Sequence, residues 1–391
     1  MQGFWKKCSD FGAGRWAAIL AILLTLGAVP KARILDSPDF KVFYAAARHA
    51  VVDPENLYKI SPDRYLYPPS TSILLLPFAF SDAWHFHQFV WMAFLGFLIF
   101  LLARRSFAAF FAMALLTRYL IVTLNYGQIN LLVISFLWLT QAQYDRRREG
   151  WAGALWSIAT SIKVYPAVLG AEFLLKKSWR GFAGFFLTLL PILLLPVLFW
   201  GPSLAMQLYG EFFHALQAKG LPMHSHNQSF AALFLRLFTR VEFDLHGIGH
   251  EMWGFFPLGA EFAHLLAWVI GLSLTGISWL VCARRKDGFL SAAAFSILFL
   301  SHIVWKDYVL FLYFPLFELF SSELLSKRQK VSGGILFALI VTLSSHDVAG
   351  AKAGALFDAA SIHLWLAVLV WGAWILYRSA FSSSPAMKKL S

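Results

Sequence analysis

Residues 83–103 contain no Lys, Arg, Asp or Glu, and the run stops on Arg104–Arg105. A helix rising 1.5 Å per residue needs about 20 such residues to cross roughly 30 Å of hydrocarbon. Runs of this kind recur from one end of the chain to the other, and this recurrence is the strongest constraint on the fold. Within a bilayer each segment must satisfy its own backbone polar groups, so the pattern implies an all-α polytopic membrane protein. A transmembrane barrel would instead show short segments alternating between apolar and polar residues, and these are absent. Only 14% of the residues are charged, against about 25% in a soluble protein. The net charge of +12 does not indicate nucleic acid, because the basic residues fall between apolar runs, where they set membrane orientation.

The basic clusters are Arg104–Arg105, residues 145–149, 176–180, 284–287 and 326–330, and the tail at Arg378 and Lys388–Lys389. By the positive-inside rule they mark cytoplasmic ends. Spans are then expected near 16–34, 83–103, 106–124, 128–144, 151–162, 164–175, 181–200, 257–283, 289–304, 308–325, 331–346 and 355–377, about 12 membrane segments with both termini cytoplasmic. The segments 151–162 and 164–175 are too short to cross squarely, and should be half-inserted, or cross where neighbours and water thin the bilayer, with Lys163 and Pro166 near their apex. The pieces 71–80 and 229–238 are expected on the outer surface. Lys6, Lys7 and Arg15 ahead of 16–30 favour an uncleaved signal-anchor over a cleaved signal peptide. With large outer loops at about 35–82 and 201–256 and no repeat, residues 1–391 read as a single membrane domain. Cys8 and Cys282 are too few for a disulfide framework or a zinc site.

This topology gathers the unusual polar residues on the outer face. They are Asp36 and Asp39; Tyr67 in "YLYPPS" (65–70); Gln128 and Asn130 in "NYGQIN" (125–130); Lys163 in "SIKVYP" (161–166); His226, Asn227 and Gln228 in "HSHNQS" (224–229); and Lys306 in "SHIVWKDY" (301–308). Ionisable and amide groups at membrane depth are costly and tend to face a cavity with a task. Each also has an ordinary structural explanation. The aspartates suit helix N-caps, the prolines a rigid turn, the amides helix ends, and Lys163 snorkelling to headgroups. Six histidines fall between 214 and 264, but glycines separate His246 from His250 and no carboxylate cluster accompanies them, so no metal is expected.

Taken in order, "SPDFKVFYAA", "YLYPPS", "NYGQINLLVI", "SIKVYP", "HNQSF" and "SHIVWKDYVLFLYFPL" resemble the signature series of glycosyltransferase family 87, over most of residues 35–320. The resemblance implies a transmembrane bundle of the GT-C type with a cavity open to the outside. It also implies a polyprenyl-phosphate sugar donor, carrying mannose or an arabinose-like sugar, and a lipid or polysaccharide acceptor. The enzyme would sit in the bacterial inner membrane and act on its periplasmic side, without nucleic acid as a partner. Asp39 matches the family's general base, with Asp36 as the fallback, and Lys163 matches a donor-phosphate contact. Relatives carry a proline and paired histidines where this chain has His302 and Lys306–Asp307. Lys306 keeps the cationic character, and Asp307 suits a salt-bridge partner for it.

The chemistry of transfer agrees with these residue types. A sugar hydroxyl needs a carboxylate to take its proton, whereas a leaving lipid monophosphate needs positive charge rather than a general acid. Asp39 with Lys163 and Lys306, and with His226 and Asn227 as hydrogen-bond donors, meets that demand without a cofactor and predicts inversion at the anomeric carbon. Aromatic segments at 83–100 and 295–320 offer a groove for the polyprenyl chain. The competing class is a transporter or flippase of lipid-linked sugars, which would place its polar site near the membrane midplane and show internal repeats.

Overall fold

The computed structural model describes residues 12–59, 65–218, 223–245 and 248–380. Lys6, Lys7, Cys8, His246, Lys388 and Lys389 lie outside the described residues. Of the described residues, 78% are helical. The strand content among them is one two-residue antiparallel pairing, Phe243 with Glu251 and Asp244 with His250. The all-α class therefore holds.

Five described helices are long and apolar enough to cross a membrane: Ala13–Leu35, Trp84–Ala103, Trp179–Trp200, Ala260–Arg285 and Ile362–Ala380. A sixth span is available if the bent pair Phe107–Leu115 and Thr117–Tyr126 counts as one. The other expected segments appear as shorter helices, among them Asn130–Asp145, Glu149–Ile162, Phe289–Leu300 and Lys327–Leu343. By length and composition the count among the described residues is thus five or six, and the expected twelve is not confirmed. The break expected near Lys163 is present. Glu149–Ile162 ends there with Lys163 extended at φ −140° and ψ 137°, and a 3-10 turn, Tyr165–Leu169, carries Pro166 into Gly170–Leu175.

The chain forms two compact units, one of residues 1–104 with 120–220 and the other of 105–119 with 221–391. In the first unit, Ala13–Leu35 packs on Trp84–Ala103, and Glu149–Ile162 packs on Trp179–Trp200. The second pairing is close because both helices present glycine. Gly153 lies against the carbonyl of Gly181, and Gly184 against that of Gly150, so tightly that any Cβ would collide. Trp156 fills the space beside this seam, stacked 4.9 Å from Phe173.

In the second unit, Ala260–Arg285 packs on both Phe230–Phe238 and Phe289–Leu300. Ser229 caps the Phe230–Phe238 helix by accepting the Ala232 N–H, and Ser326 with Gln329 forms a capping box at the start of Lys327–Leu343. Glu318 ties three helices together. It accepts hydrogen bonds from Ser291 Oγ and Trp374 Nε1, each at 2.7 Å, and pairs with Arg378.

Candidate functional site

In the first unit the site is built from the turn at 127–130. Asp36 ends the Ala13–Leu35 helix at φ 57°, and Ser37, at φ 37°, stands at the N-cap position of Pro38–Val52. These left-handed conformations are costly for residues with a Cβ. The turn is held by Gln88 Nε2, which donates to Ser37 Oγ at 2.9 Å and to the Ala32 carbonyl at 3.1 Å. Pro38 takes the first helical position, so Asp39 lies in the first turn and is not the cap. Asp36 is engaged elsewhere, paired with Lys41 and accepting the Trp84 indole N–H at 2.7 Å. The Lys41 hydrogen bond, opposed by burial and helped by the Trp84 hydrogen bond, holds the Asp36 carboxyl below the ordinary carboxylate range.

Asp39 Oδ2 accepts a 2.7 Å hydrogen bond from Gln128 Nε2. Gln128 follows Gly127, whose φ of 70° and contact with Phe40 leave no space for a side chain. The Gly127 carbonyl accepts the Trp91 indole N–H at 2.9 Å, which fixes the turn from the other side. Asn130, two residues on and fully buried, accepts at its Oδ1 from Lys163 Nζ at 2.7 Å and from Tyr165 Oη at 2.6 Å. The Lys163 ammonium lies 5.6 Å from the centroid of the Tyr67 ring, which packs edge-on against Phe43 one helical turn beyond Asp39. Thr71 Oγ1, just after "YLYPPS", donates to the Ser161 carbonyl of "SIKVYP" at 3.1 Å. Asp39, Gln128, Asn130, Lys163 and Tyr67 thus share one hydrogen-bonded and packed assembly, while Asp36 belongs to the adjoining helix junction.

The second unit is organised around Asp358, a fully buried carboxylate on the Ala351–Ala359 helix. Its Oδ2 lies 2.6 Å from Lys306 Nζ, 2.8 Å from His346 Nε2 and 3.3 Å from His226 Nε2, and its Oδ1 lies 3.3 Å from His363 Nε2. The carboxylate partner of Lys306 is therefore Asp358, in place of the neighbouring Asp307 expected from the sequence. Burial lowers the Lys306 ammonium pKa below the usual lysine value, and the Asp358 charge offsets part of that shift.

Asn227 and Gln228 form the frame of this cluster. Gln228 Nε2 donates to the Asp358 carbonyl at 2.8 Å, and its Oε1 accepts the His363 N–H at 3.3 Å. Asn227 Oδ1 accepts the Val304 N–H at 3.1 Å, and its Nδ2 donates to the His302 carbonyl at 3.2 Å. Arg236, buried beneath, donates to the carbonyls of Ala359 and Asn227 and to Ser361 Oγ. Tyr119 Oη and His363 Nδ1 lie 2.8 Å apart.

The ring nitrogens of His226 and His346 and one oxygen of Asp358 lie within 4.8 Å of one another, a spacing that suits a metal ion. Any cation there would share Asp358 Oδ2 with the ammonium of Lys306. The histidine pair considered from the sequence contributes nothing to this group: His246 lies outside the described residues, and His250 sits in the short strand pairing.

Asp358, His346 and His363 were not among the residues singled out by sequence. A signal was present, since Asp358 and His363 fall inside the expected apolar segment 355–377. An ionisable residue in such a run marks a functional position by default.

No curated protein and no solved structure matches the chain. The model of glycosyltransferase family 87 matches residues 65–304, more than half of the chain. The matched region contains Tyr67, Gln128, Asn130, Lys163, His226, Asn227 and Gln228, and it leaves Asp36, Asp39, Lys306 and Asp358 outside its bounds. On this match and its apolar helices, the chain is a membrane glycosyltransferase that belongs to glycosyltransferase family 87.

Proposed function

We propose that the protein moves a mannose or arabinose-like sugar from a polyprenyl-phosphate donor to a lipid or polysaccharide acceptor, on the periplasmic face of the bacterial inner membrane. The whole chain acts as one catalytic membrane domain, with its shorter helices completing about twelve membrane segments. The observation that carries this reading is the turn at 127–130, where Gln128 holds a carboxylate and Asn130 holds an ammonium. Glycosyl transfer from a phosphate needs this pair of chemistries.

Asp39 takes the proton of the acceptor hydroxyl as its oxygen bonds to the anomeric carbon. The bond between that carbon and the phosphate oxygen breaks, and its electron pair leaves on the lipid monophosphate. Lys163 stabilises the anion as it forms. Within the second unit, Lys306 with His226 offers a cation and a hydrogen-bonding group suited to phosphate. A single displacement inverts the anomeric centre, and no step requires a metal. Direct alignment of attacking and leaving groups accounts for the use of one base.

The test is transfer from a radiolabelled polyprenyl-phosphate sugar in membranes carrying the wild-type or the Asp39→Asn protein. The wild type should yield glycosylated product, and the variant should lose transfer while keeping its expression and donor binding. Near-normal transfer by the variant would remove Asp39 as the base. Movement of donor across the bilayer without any product would favour a flippase.

A further inference from the structure

Three helices of the second unit, Tyr313–Ser321, Lys327–Leu343 and Ile362–Ala380, enclose a groove of about 280 Å³. One wall is a single face of Lys327–Leu343, with Gly333, Phe337 and Ile340 in line. The facing wall carries Leu366, Val370 and Ala373. From Lys330 to Ile340 the groove runs about 15 Å at 1.5 Å per residue. A Cβ built on Gly333 meets no atom within 4 Å, so the protein leaves this position of the groove open. These walls offer hydrocarbon contact and no hydrogen bonds, which selects an aliphatic chain over a polar ligand.

One end of the groove is different. Gln329 and Lys330 line it, and Lys327 and Arg328 stand in the same helical turn. The Ser326–Gln329 capping box fixes that turn, and Lys330 Nζ donates to the Phe320 carbonyl at 2.9 Å, which holds its charge at the mouth. The start of a 17-residue helix adds the positive end of its dipole. Glu323 is the acidic side chain of the adjoining loop, so the three cations outnumber it. The same cluster, 326–330, is one that the positive-inside rule assigns to the cytoplasmic side, where anionic lipids concentrate.

We propose that this groove seats an acyl chain of an anionic phospholipid, with the headgroup phosphate on Lys327, Arg328 and Lys330. Hydrocarbon burial holds the chain, and the three cations select the headgroup. The site is independent of the sugar-transfer chemistry, and the proposal does not rest on it.

The test uses the full-length protein reconstituted in vesicles of equal phosphatidylglycerol and phosphatidylcholine, re-extracted in mild detergent and analysed by native mass spectrometry. Wild-type protein should retain phosphatidylglycerol at about five-fold or more over phosphatidylcholine, the scale expected when basic side chains meet an anionic headgroup. The variant Lys327→Gln with Arg328→Gln and Lys330→Gln should still retain lipid but lose the preference. Gly333→Trp, which fills the groove and replaces a poor helix former, should lose the retained lipid while melting normally in lipid-free detergent. Equal retention of both lipids by the wild type would overturn the proposal, as would unchanged retention in Gly333→Trp. If polyprenyl phosphate added to the vesicles displaces phosphatidylglycerol from the wild type, the groove belongs to the donor lipid and the proposal fails.

Discussion

The ammonium of Lys306 lies 2.6 Å from Oδ2 of Asp358, a carboxylate with no exposed surface. Removing one partner of a buried ion pair leaves the other uncompensated, at a cost of roughly 3–5 kcal/mol. Asp358→Ala should therefore lower the yield and melting temperature of detergent-purified protein. Combining it with Lys306→Met should recover much of that loss, as seen by thermal unfolding. A single variant as stable as the wild type would show that the pair does not hold this unit together.

Asp36 and Asp39 provide a matched pair of controls. Asp39→Asn should reduce transfer by about 10²–10⁴, the usual range for loss of a positioned acid–base group. Asp36→Asn weakens the contact with Lys41 but can retain an acceptor for Trp84, so its transfer rate should stay within a few-fold of the wild type. A reversed ranking in a single-turnover assay would make Asp36 the base.

Asn130 should act on donor binding. Its Oδ1 is shared by Lys163 and Tyr165, and Asn130→Leu removes both bonds while leaving the lysine in place. A loss of about 1.4 kcal/mol corresponds to a tenfold rise in donor KM. Asn130→Asp keeps the acceptor and should give a smaller rise. Steady-state kinetics against donor concentration separates the two.

The lowered pKa of Lys306 gives a pH signature. A base whose pKa is depressed sheds its proton, and with it its positive charge, at lower pH than an ordinary lysine near about 10.4. Affinity for a phosphate donor should accordingly fall on an alkaline limb below that value. Lys306→Arg should move the limb upward, because arginine keeps its charge throughout. An unchanged limb in the arginine variant would mean that Lys306 does not set it.

The glycine seam of the first unit predicts a structural failure. Gly153→Leu puts a side chain into the Gly181 carbonyl and forces two helices apart, so folded protein should be lost. Gly210→Leu, where a Cβ meets nothing, should be tolerated in the same membrane-extraction assay.

The first-unit assembly was legible in the sequence because each of its members occupies a short polar break. Gln128 and Asn130 fall between apolar runs, Lys163 interrupts one, and Tyr67 precedes two prolines. The role of Asp36 was not legible, since its Trp84 partner is distant in the chain and only the packed fold brings them together. Asp358 was hidden for a different reason. A lone carboxylate within "GALFDAASIHLWLAVLV" barely changes the mean hydropathy of the run, and hydropathy was the signal that defined the span. The segment count is not confirmed by helix length, because charge alternation marks where a chain turns and only five or six described helices are long and apolar enough to cross by themselves. The breaks at Lys163 and at the start of the 3-10 turn at Lys306 fall where expected segments meet.

The Asp358 cluster also has a consequence for biogenesis. Its members come from residues 226, 306, 346, 358 and 363, so a ribosome will have placed His226 and Lys306 in the nascent chain long before their shared carboxylate is synthesised. Until the Ala351–Ala359 helix emerges, the half-made chain carries a lysine whose eventual counter-ion is missing. Lys306 can therefore gain its buried counter-ion only once nearly the whole chain has been made.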